Sequence, residues 1–339
     1  MSGESLSRGC IGLAVAALFL LAGCTQGDDP AKQTDAPAAK VQPDARTEVA
    51  ETMTRAEADD ADAQNTVGKA FATGVGLPQD YTKAYTWFHR AAEQGLIQAQ
   101  FNLGLLLEQG KGVAAAPEVA AQWYVKAADQ GLAQAQYQLG NLYRKGLGVK
   151  QDPRHAAALY QRAADQEYAP AQYNLGLLYD DGQGVLINSS VATQWYRRAA
   201  EQGLAPAQVK LGNKYVQGIG VEQNDPLAFK WFERAARQDY ALAQHDVSVM
   251  YALGKGVEKD PVSAYAWAAL AADNGLEAAA QNRSDMREHL TTEQLADAVA
   301  LKKRLRTSAQ QQVKSFEGFV STPSGSLDTD DWFAPAESN

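Results

Sequence analysis

Read as a succession of apolar and polar positions, the chain repeats itself. The pair Ala-Gln returns at Ala63-Gln64, Ala99-Gln100, Ala135-Gln136, Ala171-Gln172, Ala207-Gln208 and Ala243-Gln244, always 36 residues apart and without an insertion. Five residues after each Ala stands Gly68, Gly104, Gly140, Gly176 or Gly212, with Ser248 in the sixth unit. Eight after it comes Phe71, Leu107, Tyr143, Tyr179, Tyr215 or Tyr251, and then a Gly-x-Gly pair, from Gly74/Gly76 to Gly254/Gly256. The second half of each unit centres on an Ala, from Ala84 to Ala264. It continues with Trp87, Trp123, Leu159, Trp195, Trp231 or Trp267 and closes on a small pair such as Ala199-Ala200.

Helical spacing accounts for this pattern. In the fourth unit Ala171, Leu175, Leu178 and Tyr179 fall on one helical face, as do Ala192, Trp195, Tyr196, Ala199 and Ala200. The Gly-x-Gly segment stops the first helix, because glycine takes the left-handed conformation without steric penalty. Asp-Pro pairs at Asp152-Pro153, Asp225-Pro226 and Asp260-Pro261 open the second, with Asp as N-cap and Pro in the first turn. A glycine inside a helix costs about 1 kcal/mol relative to Ala. Its return in five units therefore predicts close approach of a neighbouring helix at that point.

One helix pair cannot bury its own apolar face, so successive units must stack. The expected fold is all-α: a right-handed α-solenoid of six 36-residue helix-turn-helix repeats, residues 63–278, with capping helices at both ends. Residues 47–62 fit the register of a second helix with polar residues where Trp would stand, an N-terminal cap. Residues 279–317 read as C-terminal capping helices, the longer one opened by a capping box at Thr291 and Gln294. Residues 318–339, rich in Pro, Ser, Gly and Asp, read as a disordered acidic tail, with Trp332-Phe333 a short docking motif or an incidental pair.

The first 46 residues follow different rules. Residues 9–22 are a single apolar run after Arg8, too short for a permanent transmembrane helix and of secretory-signal length. Residues 24–46 are rich in Ala, Asp, Gln, Thr and Pro without apolar period, and read as a flexible tether.

Charge and composition narrow the chemistry. With 40 acidic against 31 basic side chains the net charge is −9, which offers no footprint for nucleic acid. The only cysteines are Cys10 and Cys24, so neither a disulfide framework nor a cysteine zinc site is expected. His89, His155, His245 and His289 fall in different segments at different offsets with no ligand spacing, and no nucleophile elbow or P-loop is present. No cofactor and no catalysis are expected. All the Gly-x-Gly pairs occupy the same inter-helix turn and none follows a strand, which removes them from dinucleotide binding.

Two resemblances extend this reading. Leu21-Ala22-Gly23-Cys24 resembles the bacterial lipoprotein signal box, which implies cleavage of residues 1–23 and lipid on Cys24. Thr25, where an Asp would imply inner-membrane retention, points to the outer membrane, facing the periplasm. The unit Ala-Gln-Tyr-Asn-Leu-Gly-Leu-Leu-Tyr, Gly-x-Gly-Val, Trp-Tyr, Ala-Ala, Gln-Gly in residues 171–203 resembles the Sel1-like repeat, a relative of the tetratricopeptide repeat. It departs from that pattern at Leu159, Ala116, Glu167, Asp239 and Ser248. That resemblance implies a concave face lined by the first helices, on which a partner protein lies, at offsets two, six, nine and ten after the Ala. The occupants of interest are Phe101, Leu105, Tyr137, Asn141, Arg144, Tyr173, Leu177, Asp180 and Asn213, with Arg144 and Lys145 beside Asp180 and Asp181. The tyrosines suit a partner peptide or, as an alternative, packing against the next unit. The function implied is a lipid-anchored interaction scaffold; the alternative is an immunity protein neutralising a toxic periplasmic enzyme.

Overall fold

Fifteen helices and no strand make up the described part of the chain, a computed structural model covering the backbone of residues 45–320 and the side chains of 48–309. A lone helix, α1 (Ala45–Glu57), comes first. Six pairs follow: α2 (Ala61–Thr73) with α3 (Tyr81–Glu93), α4 (Ile97–Gln109) with α5 (Pro117–Asp129), and α6 (Ala133–Lys145) with α7 (Pro153–Asp165). The series continues with α8 (Ala169–Asp181) and α9 (Ser189–Glu201), α10 (Ala205–Gln217) and α11 (Asp225–Ala236), and α12 (Ala241–Leu253) and α13 (Pro261–Asp273). Two closing helices, α14 (Glu277–Arg287) and α15 (Thr292–Val320), complete it. Each helix from α1 to α14 packs on its neighbours in sequence, and α15 packs on α13, the arrangement of an α-solenoid.

The two glycines of each turn have different tasks. The first ends the helix in the left-handed conformation; at Gly146, φ is 71° and its N–H donates to the Leu142 carbonyl at 2.8 Å. The second lets the turn nest on the preceding unit. A Cβ on Gly148 would overlap the backbone of Pro117, and one on Gly184 the backbone of Pro153. Asp152 and Asp260 cap α7 and α13 as the Asp-Pro pairs predict. For α11 the cap is one residue earlier: Asn224 accepts from the Leu227 N–H, and Asp225 is already inside the helix.

The mid-helix glycine is explained by a ring. The aromatic residue that follows the Trp (Leu159 in unit three), on the second helix of the same unit, packs directly against it. A Cβ on Gly104 would come 2.5 Å from Tyr124, one on Gly140 2.7 Å from Tyr160, and one on Gly176 2.6 Å from Tyr196. Phe88 and Phe232 stand likewise over Gly68 and Gly212. In unit six the glycine is Ser248 and the aromatic is Ala268. There the Ser248 hydroxyl donates to the Ala264 carbonyl at 2.8 Å.

Between units, the glutamine of each Ala-Gln pair is buried and doubly bonded. Gln208 donates from Nε2 to the Ala200 carbonyl at 3.1 Å and accepts at Oε1 from Gln238 at 2.8 Å. The same arrangement joins Gln100 to Ala92 and Gln130, and Gln244 to Ala236 and Asn274. Where the left-handed residue closing the second helix is acidic, at Asp59, Glu167 and Asp239, its carboxylate accepts from this glutamine at 2.8 to 2.9 Å.

A cation lies over the tryptophan ring of its own helix. Arg90 lies 5.0 Å from the Trp87 ring centre, Lys126 3.7 Å from Trp123, Arg198 4.7 Å from Trp195 and Arg234 4.6 Å from Trp231. In unit three, where Leu159 replaces the Trp, Arg162 instead donates to the Ala128 carbonyl at 2.9 Å.

The ends differ slightly from the sequence reading. Helix α1 begins at Ala45, within the segment read as tether, and stops at Glu57. The capping box opens α15 as expected: Gln294 N–H donates to Thr291 Oγ1 at 3.2 Å and Thr291 N–H to Gln294 Oε1 at 3.0 Å. That helix continues to Val320, past the expected start of the tail. Asp273 fastens it, accepting from Lys302 at 2.6 Å and Arg306 at 2.8 Å. The signal segment 1–23, Cys24, most of the tether and the Trp332-Phe333 pair lie outside the described residues.

Candidate partner-binding face

The side chains expected on the concave face lie on α4, α6, α8 and α10. The structure divides them. Phe101 and Leu105 are 0% and 5% exposed and belong to the hydrophobic core, which corrects their expected exposure. The physical reason is visible in α4, whose Phe101, Leu103, Leu105, Leu106 and Leu107 make it apolar all round, the mark of a helix buried on every side. Tyr137, Asn141, Arg144, Tyr173, Leu177, Asp180 and Asn213 all retain partial exposure.

Tyr137 is held by rings on two sides, with centroids 5.7 Å from Tyr160 and 5.4 Å from Tyr168. Its hydroxyl accepts from Asn174 Nδ2 at 3.4 Å. Asn141 is the hub beneath it, accepting from the Tyr160 hydroxyl at 2.6 Å and from Asn174 at 3.3 Å while donating to Gln138 at 2.8 Å. The rings pack within their own unit, Tyr137 meeting the next unit through the hydrogen bond from Asn174, and both tyrosines keep partial exposure. Tyr173 repeats the theme one unit on, 5.9 Å from Tyr196.

Burial holds these phenols protonated. Tyr173 is pushed up to about 12 by burial, as is Tyr160, and Tyr137 is raised by burial against the lowering effect of Asn141 and Asn174. They act as neutral hydrogen-bonding groups across the physiological range.

Asp180 is not paired as the sequence suggested. Its ion-pair partner is Lys214 of the next unit, at 2.6 Å, and it also accepts from the Tyr196 hydroxyl at 3.0 Å. Lys214 was missed because its offset, seven after the Ala, belongs to the buried side of the helix; it is only 11% exposed at its side chain. In the second unit Glu108 plays the acceptor role toward the Tyr124 hydroxyl at 2.7 Å, and burial raises its carboxyl.

His155 stacks on Tyr143 at 4.2 Å and His89 meets Trp123 edge-on at 6.0 Å, both ring-packing roles. Among the described residues no group of three or more His, Cys, Asp or Glu is placed to hold a metal ion, and no helix is long and apolar enough to cross a membrane.

A family model described as Sel1 repeat matches six consecutive segments, residues 61–96, 97–132, 133–168, 169–204, 205–240 and 241–276. The chain belongs to the Sel1 repeat family. Among solved structures it is similar to a Sel1 repeat protein from Oxalobacter formigenes, with 31% identity over 68% of this chain and 97% of that one and a TM-score of 0.59. It is also similar to c5321, a protective antigen of uropathogenic Escherichia coli with an SLR fold, at 25% identity, 84% and 77% coverage and a TM-score of 0.46. A third similarity is to the immunity protein Pa5087 from Pseudomonas aeruginosa, at 26% identity, 61% and 75% coverage and a TM-score of 0.40. No functionally curated protein matches the chain. Sel1 repeats form scaffolds for protein-protein interaction and are generally non-catalytic.

Proposed function

We propose that this protein is a non-enzymatic adaptor, anchored in the bacterial envelope through lipid on Cys24 and facing the periplasm from the outer membrane, that binds another protein along the concave first-helix face. The anchor rests on the Leu21-Ala22-Gly23-Cys24 box. The binding face rests on one observation above others: Tyr137 and Tyr173, one unit apart, each present a ring braced from behind by a second tyrosine. Rigid amphipathic rings of this kind lose little entropy on contact and are frequent anchors of interfaces. Asn141 and Asn174 set polar groups beside them, suited to the backbone of an extended segment.

Affinity capture from solubilised envelopes, with wild type beside Tyr137→Ala/Tyr173→Ala, tests the face. The adaptor reading expects a specific envelope protein to be retained by wild type and lost by the variant while circular dichroism shows the variant still helical, although the loss of two packed rings lowers its melting temperature. Undiminished capture by the variant removes the face from binding, and recovery of a secreted toxic enzyme replaces the adaptor role with immunity.

A further inference from the structure

The Gly-x-Gly turns line one edge of the stack. A Cβ on Gly112 would meet the backbone of Tyr81, one on Gly220 that of Ser189 and one on Gly256 that of Asp225, as those on Gly148 and Gly184 meet Pro117 and Pro153. Each of these turns therefore sits over the start of the second helix of the preceding unit. The chain enters α1 at this same edge. Ala45 begins α1 as Tyr81, 36 residues later, begins α3, and Gln64 donates to the Ala56 carbonyl at 3.2 Å as Gln100 does to Ala92. Helix α1 is thus a second helix, both in register and in its joint to the first helix that follows.

The edge carries apolar side chains that the fold leaves in water. In unit four the turn reads Val185-Leu186-Ile187-Asn188, where units three, five and six place Lys150-Gln151, Glu222-Gln223 and Glu258-Lys259 at the two central positions. Leu186 is 90% exposed and Ile187 69%. The backbone around them is fixed: Asn188 N–H donates to the Tyr179 carbonyl at 2.8 Å, and Asn188 Oδ1 caps α9 by accepting from the Val191 N–H at 3.1 Å. Between the two glycines of the adjoining turns stand Leu147 and Ile219, exposed as well, and so is Val75 in unit one. Lys111, Gln183 and Lys255 hold that position in the remaining units, so no acid occupies it.

We propose that this edge faces the membrane and that Leu186 and Ile187 enter the interfacial layer of the bilayer. The inference rests on the reading of Cys24 as the lipid-bearing residue. Twenty-one residues separate Cys24 from Ala45, and a coil of that length spans about 25 Å. The anchor thereby keeps the bilayer at high effective concentration for the edge at which the chain enters the solenoid. A turn already fixed by its cap needs no further ordering on insertion. Two aliphatic side chains moved out of water favour this orientation of the body by more than about tenfold. They are too few to hold an unanchored chain, since even a single myristoyl group binds only marginally. The first-helix face lies along the helices and not at their ends, so it stays open to a partner protein.

Photo-crosslinking tests this. The acylated protein with Leu186→benzoylphenylalanine is reconstituted into vesicles of phosphatidylethanolamine and phosphatidylglycerol, irradiated, digested and analysed by mass spectrometry. Glu201→benzoylphenylalanine, exposed at the opposite end of α9, is the control. The expected result is phospholipid adduct at residue 186 at least about tenfold above that at residue 201, the ratio for burial of one such side chain. Equal yields at the two positions overturn the proposal, and adducts at residue 186 to protein alone replace the membrane with a contact between copies of the chain. The peptide beginning at Cys24 in the same digest reports the anchor. An unacylated Cys24 refutes the anchor itself, whereas an acylated Cys24 with no lipid at residue 186 refutes this edge and leaves the anchor standing.

Discussion

Gln238 donates from its Nε2 to Oε1 of Gln208, thirty residues earlier, at 2.8 Å, and Gln208 passes its own Nε2 hydrogen to the Ala200 carbonyl. Two side chains thereby tie three helices of two units. Gln208 is buried, so removing its amide strands groups that water cannot reach. Gln208→Met is expected to destabilise by about 1 to 3 kcal/mol, and Gln238→Met, whose own amide is nearer solvent, by less. Urea unfolding midpoints of the two variants check the order.

The glycine beneath each ring predicts a reversal of sign. Gly176→Ala improves helix propensity by about 1 kcal/mol but drives a methyl into the Tyr196 ring, and overpacking of this kind costs about 1 to 3 kcal/mol. The single variant is therefore expected to be less stable than wild type. Introduced into a Tyr196→Ala background, the same Gly176→Ala is expected to be neutral or stabilising. A double-mutant cycle by thermal melts shows the coupling, and equal effects in both backgrounds would disprove it.

Lys214 and Asp180 form a pair largely out of solvent, with side chains 11% and 19% exposed. Lys214→Met leaves Asp180 with the Tyr196 hydroxyl alone and is expected to cost about 3 to 5 kcal/mol, whereas Lys214→Met with Asp180→Asn recovers a large part of that loss. Chemical denaturation of the three variants at one pH decides.

Asp246 makes stability depend on pH in an unusual direction for an acid. Its folded value, about 6, lies above its ordinary one because burial disfavours the charge. Between about pH 4 and 6 the folded chain thus binds more protons than the unfolded one, and the contribution of this group to stability falls as pH rises. Asp246→Asn is expected to stabilise by about 1 to 2 kcal/mol at pH 7, solvent screening included, and to make no difference below pH 4. Melting curves of both proteins across that range test it.

The proposed lipid on Cys24 makes a localisation prediction. Cys24→Ser is expected to release the protein from membranes into the soluble fraction; a variant that still sediments with membranes refutes the anchor.

Much of the fold is legible in the sequence because its signals are local and repeated: apolar period, glycine stop, acidic cap and the Thr291/Gln294 box each act within a few residues. What escaped is non-local. Gln208 is polar, and nothing within its own helix reveals that a carbonyl eight residues back and an amide thirty residues ahead converge on it. The ring over Gly176 is twenty positions away, although the swap of Gly and aromatic for Ser248 and Ala268 in unit six records the contact within one chain. On the candidate face, offset counting placed Tyr137, Asn141 and Tyr173 at partly open positions but could not separate them from Phe101 and Leu105. The all-round apolar character of α4 was the signal that distinguishes them.

The glutamine relay has an implication for how such a molecule can change length. Every unit arrives with one amide hydrogen for the helix behind it and one alanine carbonyl for the glutamine of the unit ahead. An extra 36-residue copy spliced between two others would thus find both its seams already complementary. Growth or shortening in whole modules therefore keeps the joints complementary.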